Sequence, residues 1–306
     1  MTSDAVVFAP IVCCVDDGFI QPLCVLMQSI ATAQPDATAD IKFIVIHQGL
    51  QDTSRRTIHA NADRLGLSVE FRRVPAPDSR YPEFRTGSDA TYTRLAIPDV
   101  IPDYRVVLYM DVDIILLQDI RPLLRMPLNG APFAAVPDPT KPVLRLGRAL
   151  PGWEALGLKG DREYFNNGVM LIDIAECRRR GLFAKAARLL VDHQENLRYW
   201  DQDAMNLAAT EDWLRLERKW NTFAFSSLVQ LGGYVHRGEP LLPLSQLLAE
   251  EETAAVLHFA GPQKPWLPDY PDNPLRDRYL QLLRMITTPA DNRPPAEKPT
   301  EENLEI

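Results

Sequence analysis

The feature that most constrains this chain is a set of short, almost wholly apolar runs separated by stretches of helical periodicity. Residues 11–15 read IVCCV, 41–46 read IKFIVI and 106–110 read VVLYM. A strand with one wet face alternates apolar and polar residues. Runs like these instead fit strands buried on both faces, as in a parallel sheet covered by helices. After the first run, Leu23, Leu26, Met27 and Ile30 recur at i, i+3, i+4 and i+7, one stripe of a helix. Ile58, Ala62 and Leu65 stripe a second helix, which Gly66 can close. Leu67, Val69 and Phe71 alternate with polar residues and predict a half-exposed strand. Residues 131–136 and 169–174 are further strand candidates. Strand–helix alternation with right-handed crossovers predicts an α/β fold, a mostly parallel, Rossmann-like sheet flanked by helices.

Beyond residue 174 the pattern changes. Residues 175–194 predict a helix capped by Asp173, and another starts near Asp201. Prolines at 262, 265, 268, 271 and 274 predict an extended loop, followed by a last helix over 275–285. Residues 138–162 are too long and aperiodic for an ordinary connection and read as a lid or binding loop. The tail 287–306 is rich in Pro and charge, and is expected to be mobile.

Charge and cysteine content exclude several function classes. With 33 Lys+Arg against 41 Asp+Glu the net charge is −8. Such a chain lacks the basic footprint of nonspecific nucleic-acid binding and has no global attraction to an anionic membrane. No run of about 20 apolar residues predicts a transmembrane segment. The four cysteines, Cys13, Cys14, Cys24 and Cys177, form no CxxC pair and read as small buried hydrophobes of a reducing compartment. The N-terminus has no basic leader region, so a cytoplasmic protein is expected.

The sharpest chemical feature is Asp111-Val112-Asp113, directly after VVLYM. Side chains at i and i+2 of an extended segment share a side, their origins roughly 6–7 Å apart. Two such carboxylates repel unless a cation lies between them, and hard ions such as Mg²⁺ or Mn²⁺ take oxygen ligands. The pair also falls where open α/β sheets bind ligands, outside the carboxyl ends of the strands. A second feature is His258-Phe-Ala-Gly261-Pro-Gln-Lys264-Pro-Trp266, after the apolar run AAVL. An imidazole can complete a metal shell, Gly261 permits close backbone approach, and Lys264 offers a point charge to phosphate. The plainer alternative is a surface loop anchored by Trp266. Asn166-Asn167-Gly168 and Trp200-Asp201-Gln202-Asp203 are either caps and turns or hydrogen-bonding groups for a polyhydroxylated ligand. Arg94, in TYTRLAIP, reads as a solvated or ion-paired helix residue unless it faces phosphate.

Together these pieces resemble one family: the retaining glycosyltransferases of family 8, the LgtC- and glycogenin-like enzymes of GT-A fold. The matching segments are CCVDDGF (13–19), TYTRL (91–95), VLYMDVD (107–113), YFNNGVMLID (164–173), WDQDAMN (200–206) and LHFAGPQKPW (257–266). They occur in the family's order. The resemblance implies that Asp16 bonds the uracil and Arg94 stands beside the nucleotide. It makes Asp111, Asp113 and His258 the metal ligands, with Asp111 also near the ribose. Gly261 and Lys264 correspond to the diphosphate contacts, and Asp138, Asn166, Asp201 and Gln202 to residues around the donor sugar. Four positions depart from the family pattern: Cys14-Val15 replaces Ala-Ala, Gly18 replaces Asn, and Asn167 stands where Ala or Ser is common.

The resemblance therefore implies a Mn²⁺- or Mg²⁺-dependent transfer of galactose or glucose from a UDP-hexose to a carbohydrate or glycolipid acceptor, such as a lipopolysaccharide precursor. It implies a GT-A domain over 1–286, with a nucleotide half about 6–136 and a sugar and acceptor half about 137–270. The acceptor-contact candidates are the loops 75–90, 138–163 and 223–240. The acidic tail suggests at most weak peripheral association with the inner face of a membrane. Two rival readings fit the residues less well. A sugar nucleotidylyltransferase needs a Gly-rich turn after the first strand, where only Gly18 occurs. A non-catalytic UDP-sugar-binding protein has no need of so complete a ligand set.

Overall fold

The structure, a computed structural model, describes residues 8–76, 78–82, 90–146, 150–231, 234–239 and 241–287. The tail expected to be mobile lies outside the described residues from 288 onward, as do parts of the three candidate acceptor loops.

A seven-stranded sheet runs in the order β3-β2-β1-β4-β7-β6-β8. Its strands are β1 (Ile11–Cys14), β2 (Lys42–His47), β3 (Ser68–Arg73), β4 (Val106–Met110), β6 (Phe133–Pro137), β7 (Phe165–Asp173) and β8 (Leu214–Arg215). All pairs are parallel except those of β7, which runs antiparallel to both β4 and β6. A second, three-stranded sheet, β5-β10-β9, is built from β5 (Ile114–Leu116), β9 (Thr222–Phe223) and β10 (Val256–His258).

The apolar runs are explained by where alternate side chains go. Ile11, Cys13, Phe43, Val45, Leu108 and Met110 join one core, under the helices Ile20–Ala33 and Asp52–Leu65. Their neighbours Val12, Ile44, Ile46, Val107 and Tyr109 join a separate core on the opposite face. That second core is closed by the helices Ile174–Arg180, Leu182–Asp192 and Trp200–Ala208. A strand covered on both faces has no position for a polar residue, so the run reads as unbroken. β3 stands at the sheet edge and is half-buried along most of its length, as the alternation predicted.

Several boundaries moved. The helix expected over 175–194 is two helices, broken at Gly181, whose left-handed φ of 60° turns the chain between them. Asp173 does cap the first, accepting from the Glu176 amide. The strand expected to begin at 169 begins at Phe165, so Asn166 and Asn167 lie within β7 rather than in a turn before it. A register shift between Ala135 and Val136 accommodates them. The last helix starts at Pro274, the position where proline costs a helix nothing, and runs to Thr287. No helix among the described residues is long and apolar enough to cross a membrane.

Candidate active site

The two sheets bring distant segments to one point. β4 ends at Met110, so Asp111 and Asp113 emerge at the carboxyl end of the central sheet. The chain then enters β5, which pairs antiparallel with β10 in the register His258↔Ile114. The Phe259 amide donates to the Asp113 carbonyl at 2.9 Å and fixes that register. His258 is thereby delivered to the acids from 145 residues away. On the other side, the Asp111 amide donates to the Gly168 carbonyl at 2.8 Å, which sets the Asn166-Asn167-Gly168 segment beside them.

The donor atoms of Asp111, Asp113 and His258 all lie within 4.8 Å of one another. His258 Nε2 is 3.2 Å from Asp113 Oδ1 and 3.9 Å from Asp111 Oδ2. Its Nδ1 stands 2.8 Å from Asn221 Oδ1, and Asn221 Nδ2 donates to Asn166 Oδ1 at 2.8 Å. The second bond fixes the amide, so its oxygen must accept from Nδ1–H. That leaves Nε2 directed at two carboxylates, a donor set of one nitrogen and two oxygens that calls for a positive charge. Space is reserved too: a Cβ at Gly168 would meet the His258 ring at 2.5 Å and Asp111 Oδ2 at 2.8 Å. These residues fit a divalent cation. Asn221→Ala frees the imidazole to rotate and is expected to weaken Mn²⁺ affinity about 10–100-fold. Calorimetric titration of the metal checks this, and an unaltered isotherm would remove Asn221 from the support of His258.

Each acid also has an organic cation. Lys264 Nζ contacts Asp113 Oδ2. Burial pushes Asp113 up, but Lys264 and His258 outweigh it and hold the carboxyl well below the usual carboxylate range. Arg94 was expected to be solvated or simply paired unless it faced phosphate. It is buried, with Nη2 donating to Asp111 Oδ1 at 2.9 Å, Nη1 to the Asn167 carbonyl at 3.1 Å, and Nε 3.2 Å from Asp201 Oδ2. The Tyr109 hydroxyl adds a 2.6 Å bond to Asp111 Oδ1.

A second cluster adjoins the first. Gln202 Oε1 accepts from Asn166 Nδ2 at 2.9 Å and from the Asn167 amide at 3.3 Å. Its Nε2 donates to Asp138 Oδ2 at 3.2 Å and to the Tyr164 hydroxyl at 3.1 Å. Asn167 Nδ2 donates to Asp201 Oδ2 at 2.7 Å. Burial raises Asp201 despite the pull of Arg94. Burial opposes ionisation of Asp138 as well, but Lys141 at 2.8 Å and Thr140 bring it below its ordinary value. The backbone is strained where this cluster meets its helix, since Trp200, just before Asp201, has a φ of 40°.

Asp111, Asp113, His258, Gln202, Asn166 and Asp138 all line one cleft of about 570 Å³, which Gly261 (φ 106°) also borders. Asp201, Arg94 and Lys264 do not line it but contact the lining residues Asn167, Asp111 and Asp113. Asp16 does not line this cleft. It sits at the end of β1, where its carboxylate accepts from the Gly18 amide at 2.8 Å and caps the turn Asp17–Phe19. Sequence reasoning missed Asn221, Lys141 and Tyr164. Lys141 had a local signal, three residues after Asp138 in a Pro-Thr turn. Tyr164 stood in the quoted YFNNG segment without a role, and Asn221 had no signal, because its place beside His258 comes from the pairing of β9 with β10.

The family model for glycosyl transferase family 8 matches residues 10–269. General stress protein A of Bacillus subtilis (strain 168) is 27% identical over 281 residues, covering 89% of this chain and 92% of that protein. Lipopolysaccharide 1,2-glucosyltransferase of Escherichia coli (strain K12) is 31% identical over 160 residues, 52% of this chain and 44% of that protein. Among solved structures, the galactosyltransferase LgtC in complex with donor and acceptor sugar analogues superposes with a TM-score of 0.75 at 26% identity, over 91% of this chain and 96% of that one.

Proposed function

Because the chain belongs to glycosyl transferase family 8 and is a glycosyltransferase, we propose that it moves a hexose, galactose or glucose, from a UDP-sugar to a glycan hydroxyl with retention at the anomeric carbon. The observation that carries this reading is the convergence of Asp111, Asp113 and His258 at the floor of a cleft walled by buried amides and carboxylates. LgtC was solved with donor and acceptor sugar analogues, and the Escherichia coli relative is a glucosyltransferase of lipopolysaccharide.

Asp111, Asp113 and His258 would hold a divalent ion, which would supply Lewis acidity toward the diphosphate leaving group. Lys264 adds a fixed positive charge where negative charge develops as the anomeric C–O bond breaks. Asp138 presents negative charge toward a sugar that becomes oxocarbenium-like, and Asp201 acts through the Asn167 amide that it holds at the cleft wall. Gln202 is a positioning group and not the nucleophile, because Oε1 already accepts two hydrogen bonds. The acceptor oxygen then bonds the anomeric carbon from the leaving group's face, and its proton passes to the departing phosphate oxygen. Asp16 and Arg94 are assigned to the nucleotide, Asp16 to the uracil. The domain spans 1–286, its nucleotide half ending near 136. A cytoplasmic setting, at most weakly peripheral to a membrane, accords with the acidic charge.

Thermal unfolding with UDP, with and without Mn²⁺, tests the site. A rise in midpoint that needs both components is expected, followed by UDP release from UDP-galactose or UDP-glucose. Stabilisation by UDP that ignores the metal would defeat the metal assignment. A β-linked product by NMR would defeat retention.

A further inference from the structure

The fixed charges of the cleft do not cancel evenly. In its depth the acids are met by cations: Asp138 has Lys141, Asp113 has Lys264, and Asp111 shares Arg94 with Asp201 behind it. Two further arginines line the same cleft, Arg198 and Arg237. Both are exposed, and neither has a carboxylate within ion-pair distance among the described residues. A chain with a formal charge of −8 has acids to spare, so uncompensated guanidiniums at the cleft are a local reversal of its overall sign.

Both arginines stand on anchored backbone. The amides of Arg198 and Tyr199 donate to Asp203 Oδ2 at 2.6 and 2.7 Å, and Asp203 also accepts from the Tyr164 hydroxyl. Next to Arg237, the His236 ring is held by the Leu242 carbonyl at 2.7 Å and by Tyr234 at 3.2 Å. Each arginine thus accompanies a cleft-lining tyrosine, Tyr199, whose ring carries the Lys141 ammonium 4.2 Å from its centroid, or Tyr234.

We propose that the acceptor is an anionic glycan, bearing phosphate or carboxylate, whose charge Arg198 and Arg237 read. A guanidinium matches either group with paired, charge-assisted donors, an attraction that a neutral sugar does not gain. The inference rests on the glycosyltransferase reading and names that enzyme's acceptor class.

The test uses the full chain saturated with UDP and the diamagnetic Mg²⁺. Methyl α-glucoside, its 6-phosphate and methyl α-glucuronide are titrated by saturation-transfer NMR. At least one charged sugar should bind about tenfold or more tightly than the neutral one, the scale of a single charge-assisted contact. Arg198→Ala/Arg237→Ala should erase that preference and Arg198→Lys/Arg237→Lys should keep part of it, both with unchanged UDP affinity and melting temperature. Equal binding of all three sugars overturns the proposal, as does a preference that survives the alanine pair. Loss of UDP affinity in the alanine pair also overturns it, by assigning the arginines to the donor diphosphate. Absence of UDP affinity in the unsubstituted chain is a separate result that strikes the glycosyltransferase reading, and the three sugars are then compared without nucleotide.

Discussion

Asp113→Ala is expected to abolish manganese-dependent UDP affinity and to slow hexose transfer by about 10³-fold or more, beyond the loss of a single electrostatic donor. The size follows from what Asp113 holds together. One oxygen faces His258 Nε2 at 3.2 Å and the other contacts Lys264. Its side chain is only 13% exposed, so water replaces both contacts poorly. Removing it deprives the cation of one of two carboxylates and leaves a lysine charge without its partner. Part of any loss will be local disorder, since breaking a shielded ion pair is costly by itself. Asp113→Asn separates the two effects by keeping the shape and deleting the charge. The checks are calorimetry of UDP with Mn²⁺ and steady-state UDP release. Full manganese-dependent affinity in Asp113→Asn would sink the metal assignment.

Lys264→Met should lower turnover about 10²–10³-fold, the usual cost of losing one preorganised charge at a leaving group. The methionine keeps most of the aliphatic stem and deletes only the ammonium, which in the structure donates to Asp113 and, at 3.1 Å, to the Phe259 carbonyl. If Lys264 acts on charge that develops in the transition state, kcat falls more than donor KM rises. If its role is confined to neutralising Asp113, the variant instead changes metal affinity and leaves kcat at saturating metal untouched. Initial rates across a manganese series distinguish the two, and an unchanged kcat would remove Lys264 from the leaving-group chemistry.

The family motifs are local in sequence, and the parts of the site that were legible share that property. Asp111 and Asp113 were legible because β4 is: a strand buried on both faces releases its chain at the carboxyl end of the sheet, and the two acids follow it directly. Gly66 and Asp173 were legible as helix ends because capping is satisfied within a few residues. The misplacements also have local causes. Gly181 lies inside a continuous helical pattern, and nothing in the sequence tells a tolerated glycine from one in the left-handed region. Asn166 and Asn167 look like turn residues because amides suit turns, yet they lie in β7, where buried partners satisfy them.

From sequence alone came the α/β class, the two-faced burial of the central strands, the family and the acids at the end of β4, all consequences of periods of two and 3.6 residues and of contiguous motifs. Only the tertiary structure decided that β10 returns antiparallel to β5 to set His258 against those acids, that Asn221 holds its ring, that Arg94 is buried between Asp111 and Asp201, and that Arg198 and Arg237 line the cleft without acidic partners among the described residues. The reason is one of range. Hydrophobic periodicity and capping are settled within a turn or a strand, whereas the charge balance of a cleft depends on which distant segments the sheet order brings together.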